Sequence, residues 1–199
     1  MAPDAELYLK AQTLLAAHGS VQSQPAIDWR GDIPLPAEVA AFYELAGPLE
    51  VVVKGYGNPT RFPSLANLWD HQKGYRWHGN TGVRLPDWKD NWLVIASQGS
   101  DPYIFDIGTG QILFDIVGQG AWRPKKQFPN FPMMACCVAT LGSIKKAAGR
   151  NFTDEESFVT LTCKNLAVDE IAGLTGSKSS AEIVVNRAGW VTSDQFKRQ

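Results

Sequence analysis

Apolar and polar positions are most sharply patterned between Asn91 and Trp122. Trp92-Leu93-Val94-Ile95-Ala96 is a short β-prone run. Ser97 to Asp101 carries Gly and Asp and reads as a turn. In the next run Tyr103, Phe105 and Ile107 share one face. Gly108-Thr109-Gly110 then makes a tight connection, with glycine supplying the positive φ it needs. Gln111 to Val117 returns as the following strand. The pattern predicts an antiparallel meander of about three strands at the centre of the fold.

Helical spacing surrounds that meander. Asp4 is placed to cap a helix to about Ala17, with Leu7, Ala11, Leu14 and Leu15 on one face and Gly19 past its end. Ser20 to Gly31 is polar and irregular, and reads as a connection. Pro36 suits the first turn of a helix in which Val39, Phe42, Tyr43 and Ala46 share a face, stopped by Gly47 and Pro48. Leu49 to Val53 reads as a strand and Lys54 to Pro63 as a loop. Ser64 is placed to cap a helix through Leu65, Leu68 and Trp69 to Lys73, and Gly74 to Asn91 is an aromatic-rich loop.

After Trp122, three prolines punctuate an irregular exit: Pro124, Pro129 and Pro132. The longest helical pattern is Met133 to Arg150, with Met134, Cys137, Val138, Leu141, Ile144 and Ala148 on one face. Lys145, Lys146 and Arg150 sit near its end, where they complement the dipole. Beyond it, residues 151–199 read as a mostly helical extension packed on the same domain. Thr153 to Glu156 fits a capping box, Val168 to Leu174 a short helix, and Ser179 to Glu182 a second box opening a helix to Arg187.

Composition narrows the class. The chain has 199 residues, is 44% apolar and carries a net charge of −1. That suffices for one core and lacks the basic excess of a nucleic-acid surface. Cys136, Cys137 and Cys163 have no CxxC spacing, so neither a disulfide framework nor a zinc site follows. Free thiols point to the cytoplasm. The N-terminus lacks the apolar stretch of a signal peptide, and no run is long enough to span a membrane.

Candidate chemistry is sparse. His71 and His78 stand seven apart without HExxH or a third ligand, so no metal or other cofactor is expected. Asp101, Asp106 and Asp115 fall in the meander. Such carboxylates do acid/base work when burial separates them, but in turns they more often bind their own backbone. No GxSxG motif or phosphate-cradling glycine loop is present. The aromatic excess is more informative. Trp69, Trp92 and Trp122 read as core. Tyr75, Trp77 and Trp88 stand among Gly, Asn, Asp, Arg and Pro, as interface anchors do, although local packing fits them equally.

An ordered series of motifs resembles the SUKH superfamily, a group of bacterial immunity proteins named with the yeast cell-wall synthesis regulator. Leu35-Pro36, Phe42-Tyr43 and Gly47 resemble the family's opening helix. Leu68-Trp69-Asp70, Gln72, Gly74-Tyr75 and Trp77 resemble its middle helix and loop. Trp92 to Ala96 with Gly99, Asp101-Pro102, Ile104 and Asp106 resembles its "WLVIA…GGDP…D" strand pair. Gly118 to Trp122 resembles the strand that follows, and Met133 to Leu141 falls where the family places its C-terminal helix. The series covers residues 33–150, within a SUKH-like unit of residues 1–150. It departs at Gln98-Gly99-Ser100, where a Gly-Gly pair is common, and at Gln119.

The resemblance implies an α+β fold with helices packed on a curved antiparallel sheet. It implies a non-catalytic cytoplasmic protein that neutralises a cognate toxin encoded nearby and delivered by type VI, contact-dependent or polymorphic-toxin systems. The expected state is a monomer or weak dimer with no nucleic acid or membrane partner. The resemblance does not say which residues touch the toxin. Loop position selects Tyr56, Asn58, Arg61, Tyr75, Trp77, His78, Trp88 and Asp101 as the partner-binding set. The alternatives are an intracellular scaffold or regulator without a toxin partner, and a hydrolase using Asp101 and Asp106.

Overall fold

The computed structural model describes residues 3–197, with side chains from Ala5 onward. The cap assigned to Asp4 therefore falls on a side chain outside those described. Six strands form one antiparallel sheet in chain order, open at both ends: β1 Val51–Val53, β2 Thr60–Phe62, β3 Trp92–Gln98, β4 Asp101–Asp106, β5 Ile112–Phe114 and β6 Lys125–Phe128. The helices are α1 Pro3–Ala16, α2 Ala37–Leu45, α3 Leu65–Leu68, α4 Phe131–Ala148, α5 Leu161–Thr175, α6 Lys178–Arg187 and α7 Ser193–Phe196. This is the α+β class read from the sequence.

The expected meander is β3, β4 and β5, and two of its details change. The β3–β4 turn shrinks to Gly99-Ser100, with Gln98 already opposite Asp101 and Gly99 at φ +62°. β5 ends at Phe114 instead of reaching Val117. Asp115 accepts hydrogen bonds from the Ile116 and Arg123 amides at 2.9 and 2.6 Å, which bends the chain away and leaves Ile116 and Val117 exposed. β2 and β6 were hidden in segments read as loop. Three residues are too few for alternation to register, and the Lys-Lys-Gln-Phe sequence of β6 is that of an edge strand kept polar against stray pairing.

Helix starts shift for local reasons. Pro36 stands at the N-cap of α2, just outside its first turn. Ser64 precedes α3 but caps nothing. Its hydroxyl donates to Glu50 Oε1 at 3.0 Å, and the expected helix to Lys73 breaks into α3 and a 3₁₀ turn, Asp70–Gln72. α4 begins at Phe131 because Asn130 Oδ1 accepts the Met133 amide at 2.9 Å. The Thr153 capping box does not form. Asp154 Oδ1 instead accepts the Glu156 and Phe158 amides in a tight turn, and α5, Leu161–Thr175, starts seven residues before the short helix read from Val168. α6 is capped by Ser177, two residues before the expected box.

The two sheet faces bury different clusters. Leu93, Ile95, Tyr103, Phe105 and Ile112 face a main core shared with α1, α2, α4, α5 and α6. There Phe42 and Phe131 stack with ring centroids 3.7 Å apart. α4 is buried nearly all round and not on one stripe, because α1 and α5 flank it. Residues 151–197 supply part of the same core: Trp190 is 1% exposed and meets Phe152 edge-on at 4.9 Å. A ring of this kind buries about 200 Å², worth up to about 5 kcal/mol at 25 cal/mol per Å².

Candidate binding surface

The opposite sheet face carries the second cluster. Trp92, Val94 and Ile104 point away from the main core, as alternation along β3 and β4 requires. Tyr75 and Trp88 close over them, with Leu113 and Trp122 packed alongside. The lid is therefore the aromatic-rich segment from Gly74 to Asn91. It is held at the exposed edge of β3, because β2 pairs with β3 only at Ser97 and Gln98. Farther along that edge, side chains take the place of a strand. Gln72 bonds both the amide and the carbonyl of Val94 at 2.8 Å. Arg76 Nη1 and Trp88 Nε1 donate to Trp92 O at 3.2 and 3.1 Å.

This corrects two of the expected anchors. Tyr75 and Trp88, read as loop surface, are 9% and 2% exposed. The Tyr75 hydroxyl donates to Ser100 O at 2.7 Å, and burial, with Asp101 adding to it, pushes this phenol up to about 12. Both rings belong to the fold, and neither is accessible to a partner without opening the lid.

Trp77 is different. It is half-buried and lies against Trp69 at 5.0 Å between ring centroids, and Trp69 meets Trp29 edge-on at 5.5 Å. All three rings are partly exposed. Trp29 Nε1 donates to Ile33 O at 2.8 Å, which fixes the outer ring. The Arg76 guanidinium lies 5.4 Å over Trp69, bonded to Asp90 O and facing the Asp90 carboxylate at 3.6 Å. Ile27 and Val83 stand exposed on the neighbouring segments of chain. Sequence reasoning missed Trp29, passed over inside a connection, and placed Trp69 in the core. The available signal was a tryptophan between Asp28 and Arg30 in a polar stretch.

The other predicted residues scatter. His78 is exposed in a turn closed by its amide to Val83 O at 2.7 Å. Arg61 is exposed on β2, opposite Val52 and Ser97. Asn58 lies against Gly99, where a Cβ would come within 2.8 Å of its amide nitrogen. Tyr56 reaches the other way, donating to Ser157 O at 3.0 Å with its ring beside Phe152. Asp101 Oδ1 accepts the Val117 amide at 2.9 Å.

The meander's aspartates are in structural use. Asp101 and Asp106 are an odd number of places apart in one strand and so face opposite sides of the sheet. Asp106 Oδ1 accepts from Asn91 and from the Gly108 amide, and Asp115 is held as described above. These carboxylates share no pocket, which removes the two-aspartate hydrolase reading. The thiols are free and buried, and burial pushes Cys136 and Cys137 up to about 12. His18, just past the end of α1, reaches into α4. Its Nε2 lies 2.9 Å from Ala139 O and 3.0 Å from Ser143 Oγ, and burial lowers its pKa. His71 Nε2 is buried with no hydrogen-bond partner among the described residues. No group of three His, Cys, Asp or Glu side chains among the described residues could hold a metal ion. No helix among them is long and apolar enough to cross a membrane.

With this geometry in view, the comparisons add no relative: no protein-family model, no curated protein and no solved structure matches this chain.

Proposed function

We propose that the protein is a cytoplasmic binding module of the immunity type, which holds a cognate toxin and blocks it by occlusion. The observation that carries the reading is the contiguous, partly exposed row Trp29, Trp69 and Trp77. Large rings with few rotatable bonds lose little entropy when a partner covers them, and such rings dominate interface energetics. Trp77 belongs to the lid bonded to the central strand, and Trp29 and Trp69 pack against the main core, so the row is held from both sides. The motif series resembling the SUKH superfamily supplies the class of partner. The structural use of the meander's aspartates favours binding over acid/base chemistry. A standard interface of about 1,600 Å² extends well past three rings, and the exposed Ile27, Val83 and His78 lie on segments that adjoin the row.

The experiment is co-expression of the chain with the product of the neighbouring gene. Relief of toxicity together with a co-purifying complex that weakens on Trp77→Ala is the expected result. Unrelieved toxicity and no complex overturns the toxin-binding reading. A non-toxic neighbour that still forms a stable complex through Trp77 selects the scaffold alternative.

A further inference from the structure

β1 ends the sheet, with β2 on one side and no strand among the described residues on the other. The chain just before it is covered: the Leu49 amide donates to Ser20 O at 2.9 Å, and Val21 bridges Pro48. Along Val51 to Lys54 the one main-chain bond outside the β1–β2 pair among the described residues is from the Gly55 amide to Val53 O at 3.1 Å. A groove of about 520 Å³ opens there between the end of α1 and the last turns of α4. Gly142 forms its floor, since a Cβ at this position would come within 2.3 Å of Val53 Cγ1.

Every charged side chain lining the groove is basic: Lys54, Lys145 and Lys146. None of them pairs with a carboxylate among the described residues, whereas Lys73 and Lys197 do. Helix capping accounts for part of this charge. Lys145 Nζ donates to Gly55 O at 2.6 Å and Lys146 Nζ to Ala17 O at 3.2 Å. Two helix C-termini supply roughly one negative charge in all, against three ammonium groups. Each ammonium has three donors, so two remain on Lys145 and two on Lys146. Lys54 makes no hydrogen bond or ion pair among the described residues.

We propose that this groove docks an acidic, extended segment of another protein, laid along the outer edge of β1 with its carboxylates at Lys54, Lys145 and Lys146. Edge pairing supplies main-chain hydrogen bonds, and alternate side chains of the added strand reach the lysines. Nucleic acid fits less well, because its backbone charge runs on well past a patch of three lysines. The inference shares no residue with the tryptophan row and does not rest on the toxin-binding reading.

The test uses the full chain and a fluorescein-labelled peptide of alternating Glu and Val, read by anisotropy at low salt. Saturable binding is expected, weakened about tenfold by Lys54→Glu, with little binding of the Lys–Val counterpart. Of two peptides N-methylated at alternate residues in either register, one loses binding. Amide exchange slows at Val51 to Lys54 in the complex. Lys54→Gln gives the same reading, more weakly, if Lys54→Glu melts early. The proposal is overturned by absent binding, by affinity indifferent to both lysine variants, or by two methylated peptides that bind normally. Displacement by millimolar inorganic phosphate, or equal binding of an oligothymidylate, likewise overturns it in favour of a general anion site.

Discussion

The side-chain amide of Gln72 bonds both main-chain groups of Val94, its Nε2 donating to the carbonyl and its Oε1 accepting from the amide, each at 2.8 Å. A neighbouring strand would make this same pair of contacts. β2 is too short to reach that far along β3. One glutamine thus converts an exposed edge into an attachment point for the whole aromatic lid.

Gln72→Leu keeps the volume and removes both bonds, leaving a buried N–H and a buried C=O without partners. Such groups cost about 1–3 kcal/mol each, so a loss of about 2–6 kcal/mol is expected in urea unfolding. Trp77 lies on the same lid, so faster amide exchange from Gly74 to Asn91 accompanies it.

Trp77 and Trp88 separate function from fold. Trp88→Ala empties a buried site and is expected to lower stability by about 3–5 kcal/mol. Trp77→Ala, at the half-exposed end of the row, is expected to lower it by about 1 kcal/mol while weakening a partner by about 2 kcal/mol or more. Thermal melts beside partner titrations check both. Equal melting losses for the two variants contradict this assignment.

The half-buried His71, whose Nε2 is enclosed, sets a pH window. Burial lowers the pKa of His71 from 6.5. The nearby Glu50 carboxylate opposes this shift and Arg61 reinforces it. Between its folded value and 6.5 the unfolded chain therefore binds more protons, and stability falls as pH drops through that interval. Above 6.5 the contribution is fully present. His71→Asn is expected to flatten the pH dependence of the unfolding midpoint just below 6.5, and His18, lowered likewise by burial, retains its share. Glu50 acts lower down. Burial raises its carboxyl, but the bonds from Ser64 and Asn67 and the charge of Arg61 bring it below 4.5.

Two helical glycines should respond in opposite directions. Gly142→Ala drives a methyl group against Val53 and His18, where a Cβ would lie 2.3 and 3.0 Å from them, and is expected to cost about 1–3 kcal/mol. Gly173 lies inside α5 with nothing within 4 Å of its would-be Cβ, so Gly173→Ala is expected to add about 0.5–1 kcal/mol. Urea midpoints measure both.

The aromatic segment shows how far a sequence can be read. Tyr75, Trp77 and Trp88 stand in the same polar, glycine-bearing context, and nothing local tells them apart. The fold separates them by what lies beneath. Tyr75 and Trp88 land on Trp92 and Val94, while Trp77 lands on Trp69, beside Trp29 from a segment 40 residues earlier. Glu50, Ser64 and Asn67 teach the same lesson, since the hydroxyl placed to cap α3 serves a carboxylate from another part of the chain.

Local pattern alone determined the central strands, the two long apolar helices α1 and α4, and the helical character of the C-terminal segment. Alternation and helical spacing arise from backbone geometry, which each short stretch carries with it. Tertiary structure alone decided which rings are buried, which short stretches become β2 and β6, and where the unpaired lysines gather. Those outcomes depend on contacts between residues far apart in sequence, and no local stretch encodes its eventual neighbours.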